Sequence, residues 1–77
     1  MKFLTLENGA VLNMEIVREI FEVENKDETV DILATLNPFK EHKIASGLTK
    51  EEADTLLDKI AAWLNDEGER PQISREQ

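Results

Sequence analysis

The residues that could do chemistry are few. His42 is the single histidine, and the chain has neither cysteine nor tyrosine. A serine nucleophile needs a base that is itself held by a third group. Ser46 follows His42 by four residues in a segment that reads as a strand. Alternation puts the two on one face, but roughly 13 Å apart along an extended chain. Ser74 lies in a polar C-terminal stretch. His42 and Ser46 both read as polar residues on the surface beside a turn, and no catalytic residue is assigned.

Carboxylates are the abundant reactive type: Glu15, Glu19, Glu22, Glu24, Asp27, Glu28 and Asp31 crowd the middle of the chain. Paired carboxyls do acid–base work when burial or neighbours split their pKa values. Here they fall on alternating polar positions or in a turn, where solvated charge explains them. No EF-hand loop is present, so the only cation site to weigh is a weak one at Asp27, Glu28 and Asp31. Without cysteine, every thiolate metal site is excluded. Gly9, Gly47 and Gly68 are isolated turn or cap residues and form no phosphate cradle. No cofactor is expected. Asn37-Pro38-Phe39 matches a tripeptide that certain endocytic domains bind in flexible ligands, but in a compact domain it reads as a turn whose phenylalanine packs.

The elements that must position these residues can be read in order. Phe3-Leu4-Thr5-Leu6 runs into Glu7-Asn8-Gly9, and Asn-Gly is a strong hairpin signal because both residues tolerate positive φ. Residues 10–12 form the returning strand. Residues 13–17 read as a turn or a single helical turn and residues 18–24 as a strand, with a short helix across 13–24 as the alternative. After a polar turn at 25–28, residues 29–36 alternate. Val30, Ile32, Ala34 and Leu36 share one face, and Asp31, Leu33 and Thr35 the other. Pro38 ends that strand, since it cannot donate to a ladder. A short strand at about 42–46 follows, and Gly47 turns the chain toward a helix. Thr49 caps that helix and Glu52 completes a capping box. Ala53, Leu56, Leu57, Ile60, Ala61, Trp63 and Leu64 make its apolar stripe.

The fold class expected is α+β: a four- to five-stranded antiparallel meander sheet packed against one C-terminal helix. Residues 1–65 form one domain, and residues 66–77 a flexible polar tail. Phe3 to Asn13 with its Asn-Gly turn, Val17 and Ile20, and the closing GLTKEEADTLLDKI resemble many short uncharacterised bacterial and phage-encoded proteins. Those proteins pair a strand meander with one C-terminal helix. The resemblance implies the same fold and a phage or mobile-element origin, and it brings no functional motif.

A chain of 77 residues has room for one small core, worth roughly 3–5 kcal/mol of net stability. Disulfides cannot reinforce it, so efficient packing or self-association must. The formal charge of −8 repels nucleic acid. No signal peptide and no membrane span are legible, which makes the cytoplasm the expected location. One helix leaves the far face of a sheet uncovered, and an uncovered apolar face invites a partner. Phe21, Leu33, Phe39 and Trp63 are the candidate interface residues. The expected function is a non-enzymatic protein–protein interaction module that forms a homodimer, without membrane or nucleic-acid contact. An acidic decoy for the basic groove of a nucleic-acid enzyme is the second reading, and a small enzyme the third.

Overall fold

The computed structural model describes residues 1–37 and 40–73. Strands β1 (Phe3–Thr5) and β2 (Val11–Asn13) are followed by a 3₁₀ turn at Met14–Ile16. Strands β3 (Glu19–Glu24), β4 (Val30–Asn37) and β5 (Lys40–Leu48) come next, and helix α1 (Lys50–Leu64) closes the fold. The α+β class and the single C-terminal helix are as expected. The single meander is not: β1 and β2 form their own two-stranded sheet, and β3-β4-β5 form a separate antiparallel one.

The split has a local cause. Asn13 caps the 3₁₀ turn, its side chain accepting from the Glu15 amide at 3.0 Å. The turn redirects the chain before β3 starts, so β2 and β3 never align. Instead the β1–β2 hairpin buries Leu4, Leu6, Leu12 and Met14 in the common core. Glu7 fixes it to β5: its amide donates to the Ile44 carbonyl at 3.2 Å, and its carboxylate accepts from the Ser46 hydroxyl at 2.7 Å and the Ser46 amide at 3.0 Å.

The hairpin turn uses only one of its two permissive residues. Gly9 alone has positive φ, at 87°. Its amide donates to the Leu6 carbonyl at 3.0 Å, and Leu6 N–H donates to the Ala10 carbonyl at 2.7 Å. That is a longer loop with the left-handed residue last, not a two-residue turn.

On β4, Val30, Ile32 and Ala34 face the core and are buried, as the alternation required. Asp31 departs from expectation. It is buried too, at 8% exposure, because its carboxylate is fully engaged. Oδ1 accepts from Asn25 Nδ2 at 2.9 Å and from the Gly47 amide at 3.1 Å, and Lys43 Nζ lies 3.4 Å from Oδ2. Gly47 sits at φ 68° in the register shift between β4 and β5. Asp31 therefore pins the bulge at Ser46-Gly47, and a second register shift, between Ile32↔Ala45 and Leu33↔Lys43, lets β5 bury both Ile44 and Ala45. The short strand expected at 42–46 is thereby extended to nine residues.

Helix α1 begins at the anticipated capping box. Thr49 Oγ1 accepts from Glu52 N–H at 3.1 Å, and the Glu52 carboxylate accepts from Thr49 N–H at 2.9 Å. Ala53, Ile60 and Trp63 are buried, while Ala61, placed in the stripe by periodicity, is exposed. The helix ends in a Schellman pattern: Asp66 N–H donates to Trp63 O and Glu67 N–H to Ala62 O. Its last turn has no basic residue of its own. Lys2 supplies the charge from the other end of the chain, donating to the Trp63 carbonyl at 2.7 Å and to Asp66 Oδ1 at 2.5 Å. Beyond it, Ile73 packs against the core and Pro71 is half-buried, apolar anchors in a stretch read from sequence as polar tail.

Candidate functional site

Strand β3 is an edge of the three-stranded sheet, paired to β4 alone. Among the described residues no backbone group bonds to its outer side. Such an edge is a template for a further strand. Its odd-numbered residues point away from the helix. Glu19, Phe21 and Val23 stand opposite Thr35, Leu33 and Asp31 on β4. Phe21 and Leu33 form a directly facing pair, each half-buried, with Lys43 of β5 next to Leu33. Val23 is exposed. These side chains give the uncovered face an apolar centre.

The even-numbered residues of β3 face the helix. Ile20 helps line a groove of about 390 Å³ with Met14, Val17, Leu57, Ile60 and Leu64. Arg18 and Glu19 stand at its rim. Glu22 turns instead to the start of the helix, where Lys50 Nζ lies 2.5 Å from its carboxylate and 3.2 Å from Asp54. Hydrogen bonding to the Glu22 carboxyl, and next to Lys50, holds Asp54 below its ordinary pKa. Glu22 raises the Lys50 pKa, with Asp54 second. This cluster clamps the helix start to β3.

The candidate interface residues named from sequence separate. Phe21 and Leu33 meet, as a pair on the open face. Trp63 does not join them: it is 8% exposed and packed in the core, with Lys2 Nζ 6.0 Å from its ring centre. The surface it leaves for a partner is small. Phe39 lies outside the described residues, as does Pro38. The groove was missed altogether. Its signal was Val17 and Ile20, apolar residues at helical spacing that lie beyond the 3₁₀ turn, where no helix covers them. Ile16 is left 54% exposed.

The residues weighed for chemistry are held apart by other partners. Ser46 is bound through hydroxyl and amide to Glu7, and His42 pairs in register with Ala34. Asp27 accepts from the amide and hydroxyl of Thr29 at 3.1 and 2.6 Å. The Thr29 hydroxyl, then its amide, holds the Asp27 carboxyl below its usual range. Asp31 is occupied by Asn25, Gly47 and Lys43. Among the described residues no group of three metal-ligating side chains forms. No helix of the described residues is long and apolar enough to cross a membrane.

No protein-family model, curated protein or solved structure matches this chain.

Proposed function

We propose that this chain is a small non-enzymatic interaction module that associates with itself. The observation that carries the reading is the unpaired outer edge of β3, flanked by apolar surface on both sides. Phe21, Val23 and Leu33 lie on the open face, and the groove beside Ile20 on the helical face. Complementary strand addition needs both an edge to bond and side-chain surface to select the partner. Light scattering over a range of protein concentrations tests it. The expected result is a mass that rises from monomer toward dimer, and a monomer at every concentration would remove self-association.

A second reading, the acidic decoy, has one observation in its favour. Glu15, Glu19, Glu24, Asp27 and Glu28 are all exposed along one continuous segment. It predicts binding to a basic partner that falls steeply with salt and is lost when residues 19–31 are neutralised. Salt-insensitive binding removes that reading. The resemblance to short phage-encoded proteins motivates a mobile-element origin, which gene neighbourhood tests.

A further inference from the structure

The partner that fits the β3 edge is a second copy of β3, and we infer that two chains join there about a two-fold axis centred on Phe21. This inference rests on the self-association reading and adds to it the surface, the register and the charged pairs.

The symmetry restricts the register sharply. Two identical antiparallel edge strands are related by an axis perpendicular to the sheet. That axis keeps each face on its own side, so a residue can stand opposite only residues of its own face. The axis must then pass through a residue, not between two. Strand β3 covers Glu19–Glu24, so only axes through Phe21 or Glu22 pair five strand residues from each copy. An axis through Glu22 sets that carboxylate against itself. An axis through Phe21 sets Phe21 against Phe21, Glu19 against Val23 and Ile20 against Glu22 of the second copy. One step beyond, Arg18 faces Glu24 of the second copy, twice by symmetry.

Charge supports the same choice. The strand carries Glu19, Glu22 and Glu24, and like charges directly opposite destabilise a ladder. The Phe21 register places no two carboxylates opposite each other. Arg18 and Glu24 are both exposed, and among the described residues neither has an ion-pair partner within its own chain. Glu22 is already paired with Lys50. The product is a continuous six-stranded antiparallel sheet with both helices on one face. The two grooves beside Ile20 open along the shared edge, adding apolar surface that a bare strand pair lacks. The two Phe21–Leu33 pairs form one apolar row on the other face.

A charge exchange tests the register. Arg18→Glu and Glu24→Arg each create two like-charge pairs in the dimer and leave the buried core untouched. Each should weaken association about tenfold as measured by sedimentation equilibrium, with an unchanged circular dichroism spectrum. The double variant Arg18→Glu/Glu24→Arg restores complementary pairs, so its association should return to within about threefold of the parent. If the chain dimerises but the single variants associate like the parent, or the double variant stays as weak as the singles, the register is overturned and self-association stands. A parent chain that stays monomeric overturns both.

Discussion

Asp31 is the residue whose environment departs furthest from what its position in the chain implies. It sits in an alternating strand, where a carboxylate normally points to water, yet it is buried and bonded to three residues, Asn25 of the preceding turn and Lys43 and Gly47 of β5. Burial pushes its pKa up, but hydrogen bonds from Asn25 and the Gly47 amide, together with Lys43, outweigh it. The carboxyl is held below its ordinary value of 3.8. Removing it leaves those donors without their acceptor, so Asp31→Ala should cost about 1–3 kcal/mol in urea unfolding at pH 7. The pH dependence follows from the direction of the shift. A folded-state pKa below the unfolded one means the contribution is complete above the unfolded value. It is lost as pH falls through the folded one. The gap in stability between parent and Asp31→Ala should therefore narrow below about pH 4, and a gap that stays constant into acid would contradict the ion's role.

The elements were legible wherever side-chain period and backbone chemistry agreed. The Thr49 capping box, the core face of Val30, Ile32 and Ala34, and the strand at residues 19–24 all follow from patterns within one segment. What was not legible depends on contacts far apart in sequence. The turn at residues 13–17 could be read locally, but the docking of the hairpin it frees, against Ile44 and Ser46 on β5, could not. The bulge at Gly47 exists because Asp31, sixteen residues earlier, reaches it. Likewise the face of β3 that carries Phe21 could be read by alternation, but the groove beside Ile20 requires knowing where Leu57 and Leu64 come to rest. The two β-turns make the same point at smaller scale. Both close with a left-handed residue, Gly9 in one and Glu28, at φ 69°, in the other. Asn25 N–H bonds to Thr29 O much as Leu6 N–H does to Ala10 O. A side chain at such a φ is strained, whereas glycine is not. Glu28→Gly should thus raise stability by about 0.5–1 kcal/mol, the relief of strain exceeding the added chain entropy. A loss of stability in thermal unfolding would show that Glu28 makes a compensating contact.

For the whole molecule the governing facts are its small core and its charge. The core gathers residues from both sheets and the helix, and it is tied at one end by Lys2, which links the first residues to Trp63 and Asp66. Even so, a core of this size supplies only about 3–5 kcal/mol, and a charge of −8 opposes compaction. The proposed association through β3 would answer the first problem, since anything that binds the folded chain and not the unfolded one stabilises it by mass action. Unfolding of a dimer releases two chains, so its thermal midpoint must climb with protein concentration, whereas a monomer's midpoint does not move. The parent chain should show that climb across a hundredfold dilution series followed by circular dichroism. Phe21→Lys puts two ammonium groups against each other on the two-fold while leaving the core residues in place. Its midpoint should be independent of concentration, and it should lie below the parent's even at the most dilute end because the Phe21–Leu33 contact within the chain is lost too. If Phe21→Lys instead keeps the parent's concentration dependence, the chains meet somewhere other than the centre of β3.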